Sequence, residues 1–403
     1  MKFAVRYGNP GFVDLLWHPA KMNRKNQLTQ IFKATFFFGL TCFWVVFQCH
    51  SQGLLLDDKI AMDSMTKAVD HVYNFQFDKA NHSISKFKTR YQNHPGFLLF
   101  NSITQFWKSF PISSKPKEYS VYLQNLNKVI ANGEKLAEKY PKSPEPTYYI
   151  MMANLILARH HSEEGEYIKA VNETRKAYSY IKKGFDLKTS YPEFYFSTGL
   201  YNYYRVAFPI NHPFYNSFTV FFPEGNKVSG IKDLEIASQK SLFSKAESYI
   251  FLTTIHMRDE YNMPLSLKYS TSLHENYPGN WLFSIVYAEC LIESKKGEAA
   301  EPLINRLLGR NEAAALLAGY YLKGLLEAQQ GNSDGAKWAF QKALLHGGGK
   351  DRLTKGFIGL TYNELGKIAK EEGKLDWAKK YFKKALDNCS YKKVKKDAKV
   401  AGY

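Results

Sequence analysis

Apolar residues recur along most of this chain at intervals of three and four, the spacing of one helical face, and strand-type alternation is nearly absent. The clearest pattern lies near the end, where "GNSDGAKWAFQKAL" (331–344) and "GKLDWAKKYFKKAL" (373–386) share one skeleton of small and aromatic positions. With the preceding helix included, Tyr320, Gly324, Gly331, Ala336, Phe340, Ala343 and Leu344 each return 42 residues later, as Tyr362, Gly366, Gly373, Ala378, Phe382, Ala385 and Leu386. Ala336, Phe340 and Ala343 fall on one helical face, so the small residues admit a neighbouring helix and the phenylalanine fills the gap. Gly324 and Gly366 each cost about 1 kcal/mol of helix propensity relative to alanine, which close backbone contact would justify. Gly331 and Gly373 are expected to turn the chain between paired helices. The prediction is an all-α chain of stacked helical hairpins.

Upstream the pattern weakens but persists. Ala288, Ala300, Ile304 and Leu307 repeat the spacing in one unit, residues 246–278 form the unit before it, and Ala80, Ile84 and Phe87 mark another near the front. Tyr-Pro helix stops suggest hairpins over 118–160 and 165–206, giving about seven in all. The expected organisation is hairpins over 52–190, an aromatic and proline-rich insertion over 191–230, a C-terminal array over 231–390 and a lysine-rich tail over 391–403. In the insertion, 13 of the 32 residues from Tyr191 to Phe222 are Tyr or Phe, too apolar for a solvated loop, and Pro209, Pro213 and Pro223 are expected to break any continuous helix through its second half.

This arrangement of Tyr, Gly, Gly, Ala, Phe and Ala resembles the tetratricopeptide repeat, a helix-turn-helix unit of about 34 residues. The middle of the chain, with "GLYNYY", "FFPEGN" and "GIKDLEIAS", is similar to secreted bacterial tetratricopeptide proteins and more distantly to the inclusion-body-clearance proteins built from such repeats. The resemblance implies a tetratricopeptide-like helical hairpin solenoid acting as a scaffold, with no catalytic residue to transfer. It also implies a partner-binding concave face formed by the first helix of each hairpin. Asn363 and Lys367 occupy positions where some relatives grasp a carboxylate, but one repeat earlier stand Tyr321 and Leu325, which suits an apolar or mixed groove for a protein or peptide.

Two readings fit the aromatic block. Its rings plug the core, or Tyr201, Tyr203, Tyr204 and Phe208 line a pocket that stacks on a glycan or small ligand, with Arg205 as a charged clamp. The first function expected is a non-catalytic adaptor in the cell envelope; the alternative is such a ligand-binding module.

Charge adds a location rather than a nucleic-acid signal. From Lys374 to Lys399 ten lysines face three aspartates, which accounts for +7 of the formal +18, and no aromatic-basic interleaving accompanies them. A solvated lysine face is expected, with an acidic protein or anionic membrane surface as a possible counterpart and no nucleic acid. At the front, basic residues from Arg24 to Lys33 precede the apolar run "ATFFFGLTCFWVVF", which reads as a signal peptide cleaved after Ser51, with the true start at Met22. An uncleaved anchor is the competing reading, because no charge occurs from Ala34 to Leu56. "VFQC" lacks the small residue that a lipidation signal wants before Cys49.

Cys290 and Cys389, nearly a hundred residues apart, fit neither a disulfide framework nor a zinc site. His160 and His161 beside Glu163, Glu164 and Glu166 are the densest potential metal ligands, but adjacent histidines point about 100 degrees apart on a helix, so a polar helix end is expected. "HGGGKDRL" lacks the Gly-Lys-Ser/Thr of a phosphate loop and reads as a long inter-hairpin connection. No acid, base or nucleophile set can be assembled, so no catalysis, cofactor or metal is expected.

Overall fold

The computed structural model describes residues 53–112, 115–163, 166–211, 223–389 and 391–402, and within them every regular element is helical. The predicted signal segment lies outside the described residues; among those described, no helix is long and apolar enough to cross a membrane.

Among the described residues eight hairpins follow one another, where about seven were expected: α1 (Lys59–Tyr73) with α2 (Phe77–Ile84), extended by the short α3 (Lys88–Tyr91); α4 (Pro95–Lys108) with α5 (Pro116–Lys139); α6 (Pro144–Glu163) with α7 (Tyr167–Leu187); and α8 (Phe194–Asn211) with α9 (Lys227–Lys240). Then come α10 (Lys245–Thr254) with α11 (Met263–Asn276), α12 (Trp281–Glu293) with α13 (Gly297–Leu308), α14 (Ala313–Gln329) with α15 (Ser333–Leu345), and α16 (Arg352–Glu371) with α17 (Leu375–Asn388). A last helix, α18 (Lys392–Val400), closes the array. Along most of the chain each helix packs on the next, and first helices of neighbouring hairpins also touch, as α12 does α14 and α14 does α16. The result is a helical repeat solenoid.

The glycines behave as their spacing predicts. A methyl at Gly324 would run into the Phe340 ring, and one at Gly366 would meet Phe382 at 3.1 Å, so both helices bring backbone against ring. Gly331 (φ +80°) and Gly373 (φ +75°) make left-handed turns, each sealed by the next amide donating to the carbonyl five residues back: Asn332 to Glu327 at 2.9 Å and Lys374 to Ala369 at 2.8 Å. The same closure joins α1 to α2 and α12 to α13, but there Phe75 (φ 59°) and Lys295 (φ 62°) hold the left-handed position. Gly331→Ala should therefore lower stability by about 1 kcal/mol, while Lys295→Gly should be neutral or stabilising by a few tenths, both read from urea midpoints. A loss at both positions would show that the turn conformation is not what sets the difference.

Three expectations are corrected. Hairpins over 118–160 and 165–206 are out of phase by one helix: the Tyr-Pro stops at 140–141 and 191–192 separate hairpins, so α4 precedes α5 and α8 runs along α9. Gly199 and Gly230 cause the second pairing, since a methyl at either would lie 3.0 Å or less from backbone atoms of the other helix. The aromatic block does not interrupt the repeats over its whole length. Its first half forms α8, which passes through Pro209 and ends at Asn211, and residues 212–222 lie outside the described residues. Finally, the lysine-rich end is a packed helix rather than a tail: Val394 and Ala398 are buried, and α18 contacts α16 and α17 as a further first helix would.

The front of the solenoid returns to its middle. Tyr73, at the end of α1, lies 5.6 Å from the rings of both Trp107 and Tyr277 and 6.4 Å from Phe283. Around it, the Asn280 side chain donates to the Tyr73 carbonyl (2.9 Å), the Gly279 amide donates to the Asn74 side chain (2.8 Å), and the Tyr277 hydroxyl donates to Asp70 (3.1 Å). The first hairpin thus contacts the joint between the fifth and sixth. Inside this turn Tyr148 packs edge-on against Tyr149, Tyr191 and Phe194, and all four are buried. Rings fill the interior.

Candidate functional site

The aromatic residues proposed as a pocket separate on opposite sides of α8. Tyr203 is fully buried; its hydroxyl donates to Glu260 at 2.7 Å and Lys227 lies over its ring. Tyr204 packs edge-on to Tyr203 and turns toward Phe251. Tyr201 faces the other way, stacked on Tyr178 at 5.7 Å with its hydroxyl donating to the Pro223 carbonyl (2.7 Å). Arg205 lies on that side, its side-chain carbons where a methyl on Gly225 would fall. The side chain of Phe208 lies outside the described residues. Tyr203 cannot stack on a ligand from this position, so its contribution is to the core.

The groove residues are enclosed as well. Tyr321 is 1% exposed, packed against Phe340 and Phe357. Asn363 is fully buried and donates to Asp397 of α18 at 2.8 Å. Lys367 is half-buried on Glu364 at 2.6 Å, and Glu364 also meets Lys393 of α18 at 3.0 Å. Burial alone would raise the Glu364 carboxyl, but the two ammonium groups outweigh it and hold its pKa at about 2. Asn363, and Lys367 through Glu364, which occupy the carboxylate-clamp positions, instead form the seat of the last helix.

No family model, curated protein or solved structure matches the chain. Any site must be read from its own surface and interior.

Of three carboxyls in the front turn, Glu145 and Glu193 are buried and Glu247 is half-buried, and desolvation pushes each up to about 7. Each already has donors. Glu145 on α6 accepts from the amides of Leu55 and Leu56 at 3.1 and 3.0 Å and lies 3.2 Å from His94, anchoring the segment before α1. Glu193 accepts from the amides of Leu242 and Phe243 ahead of α10, and Glu247 from the Tyr73 hydroxyl. These acids fasten helix ends to one another. Cys290 and Cys389 are free, buried thiols, pushed up to about 12 by burial and so poor nucleophiles.

The outer helices of the last two hairpins present a different surface. Trp338 on α15 and Trp377 on α17 are 47% and 51% exposed. Lys323 and Lys342 lie over the Trp338 ring at 5.3 and 5.8 Å, and Lys380 lies over Trp377 at 4.8 Å. Leu345 and Leu375 are also exposed, and Lys384, one turn beyond Lys380, lies over the Tyr362 ring at 4.9 Å. Sequence reasoning passed over these tryptophans, although each stands off the Ala-Phe-Ala stripe that faces the core, which is the signal that could have found them.

Proposed function

We propose that the chain is a non-catalytic scaffold of the tetratricopeptide type that holds a protein partner. One observation carries the reading: the interior of the front turn is filled by the protein's own rings, while Trp338 and Trp377 stand exposed among lysines. Tryptophan anchors dominate many interfaces, and the surrounding ammonium groups favour an acidic partner through steering and register. The partner's chemistry is therefore an acidic surface with apolar side chains to cover two indoles. A place in the cell envelope is part of the same proposal and rests on the apolar run of residues 34–47 alone.

The test is crosslinked affinity purification after cell fractionation, with the native chain and a Trp338→Ala/Trp377→Ala double variant. A partner bound through both indoles should be weakened about 30-fold for each one removed, and several hundred-fold for the pair where the losses add, since hot-spot truncations cost about 2 kcal/mol or more each. The variant's thermal melt should barely move, because both rings are half in solvent. Equal recovery from both forms would overturn the proposal, as would flotation with anionic vesicles in place of capture of a protein.

A further inference from the structure

At the end of α6 the two adjacent histidines do not diverge as helical spacing suggests. The rings of His160 and His161 lie 4.9 Å apart, tilted by 45°. The residue ahead of α7, Glu166, comes back beside them, with His161 Nδ1 2.7 Å from its Oε2. One ligand atom from each of His160, His161 and Glu166 falls within 4.8 Å of the other two.

We propose that His160, His161 and Glu166 form a binding site for a zinc-like divalent ion. Two imidazoles and a carboxylate are a donor set that suits zinc, at about 2.0 to 2.2 Å from the metal. Ligand atoms around such an ion stand about 3.3 Å apart, so small side-chain rotations bring this group into range. His161 and Glu166 are already closer than that, and the hydrogen shared between them is what the cation replaces.

The surroundings orient the site. His160 is buried, and the Tyr119 ring meets it edge-on at 4.8 Å with its hydroxyl 3.3 Å from Nε2, which fixes the imidazole plane. His161 borders an open hollow of about 390 Å³ walled by Asn172, Glu173 and three cationic side chains of α7, Lys169, Arg175 and Lys176, so an ion and its water have a path in, against the repulsion of those charges. Lys169 opposes binding, since its ammonium lies 2.7 Å from Glu166 Oε1. It is 62% exposed and holds the oxygen that faces away from His161, so it can withdraw into solvent. The bound ion would tie the end of α6 to the start of α7 across the hairpin turn.

The test uses the tag-free full-length chain, titrated with Zn²⁺ against a chromophoric chelator and with Co²⁺ followed by its visible bands. One equivalent should bind, and the thermal midpoint should rise with metal. His161→Ala and Glu166→Gln alter partly exposed side chains and should keep the fold, yet each should weaken binding at least tenfold. Uptake without saturation near one equivalent, or uptake equal in all three forms, would overturn the proposal.

Discussion

Gly230→Ala should destabilise the protein by about 2 to 4 kcal/mol, more than most surface substitutions. The added methyl would stand 2.6 Å from the amide nitrogen of Tyr203 and 2.8 Å from the carbonyl oxygen of Gly199. Both obstacles are backbone, so no rotamer change relieves them, and α8 must move away from α9. That movement would disturb Tyr203, whose buried ring and Glu260 hydrogen bond tie α8 to the segment after α10. Gly309→Ala is the control, because its methyl would meet nothing nearer than 3.6 Å, and its cost should stay within about 0.5 kcal/mol. Urea midpoints at unchanged slope give both values; similar losses at the two sites would refute the close-approach explanation.

Tyr73→Ala should cost about 3 to 5 kcal/mol, the range for deleting a buried aromatic ring. It should also release the contact between α1 and residues 276–283, seen as faster exchange of the Gly279 amide, which donates to the Asn74 side chain across that contact. Tyr73→Phe separates the ring from its hydroxyl. Glu247 would lose its donor, at a cost of about 1 to 3 kcal/mol.

The penalty should depend on pH with a defined sign. Burial raises Glu247 from 4.5 to about 7, so its favourable contribution is complete below pH 4.5 and is lost as pH rises through 7. Loss of the hydroxyl raises that carboxyl further, so Tyr73→Phe should be costlier at pH 8 than at pH 6. A penalty that is flat across this range would show that Glu247 does not ionise in the folded protein.

The repeat was legible where close helix approach demands a small residue. Gly324 with Phe340 and Gly366 with Phe382 declared themselves by spacing, and the structure sets each ring in its notch. Elsewhere the same left-handed turn is made by Phe75 and Lys295, which carry no turn signature, so the hairpins around them were visible only by period. The contact of Tyr73 with Tyr277 joins residues about two hundred apart, and no local pattern encodes such a meeting. The misreading of the lysine-rich end had a remedy in the sequence: Tyr391, Val394 and Ala398 form an apolar stripe at helical spacing among the lysines, and all three are buried. That helix is what encloses Asn363. At His160 and His161 no local spacing shows that Glu166, ahead of α7, comes back beside His161.

Repeat arrays in which every unit leans only on its neighbours can peel from either extremity. Here the first described hairpin is latched to a point two-thirds of the way along, through Asn74, Gly279 and Asn280. Opening the first described hairpin must break that latch together with the ring cluster beneath it, whereas among the described residues the last hairpin is covered by α18. Under load or mild denaturant the molecule should therefore come apart from back to front, the tryptophan-bearing hairpins loosening while the front turn still holds.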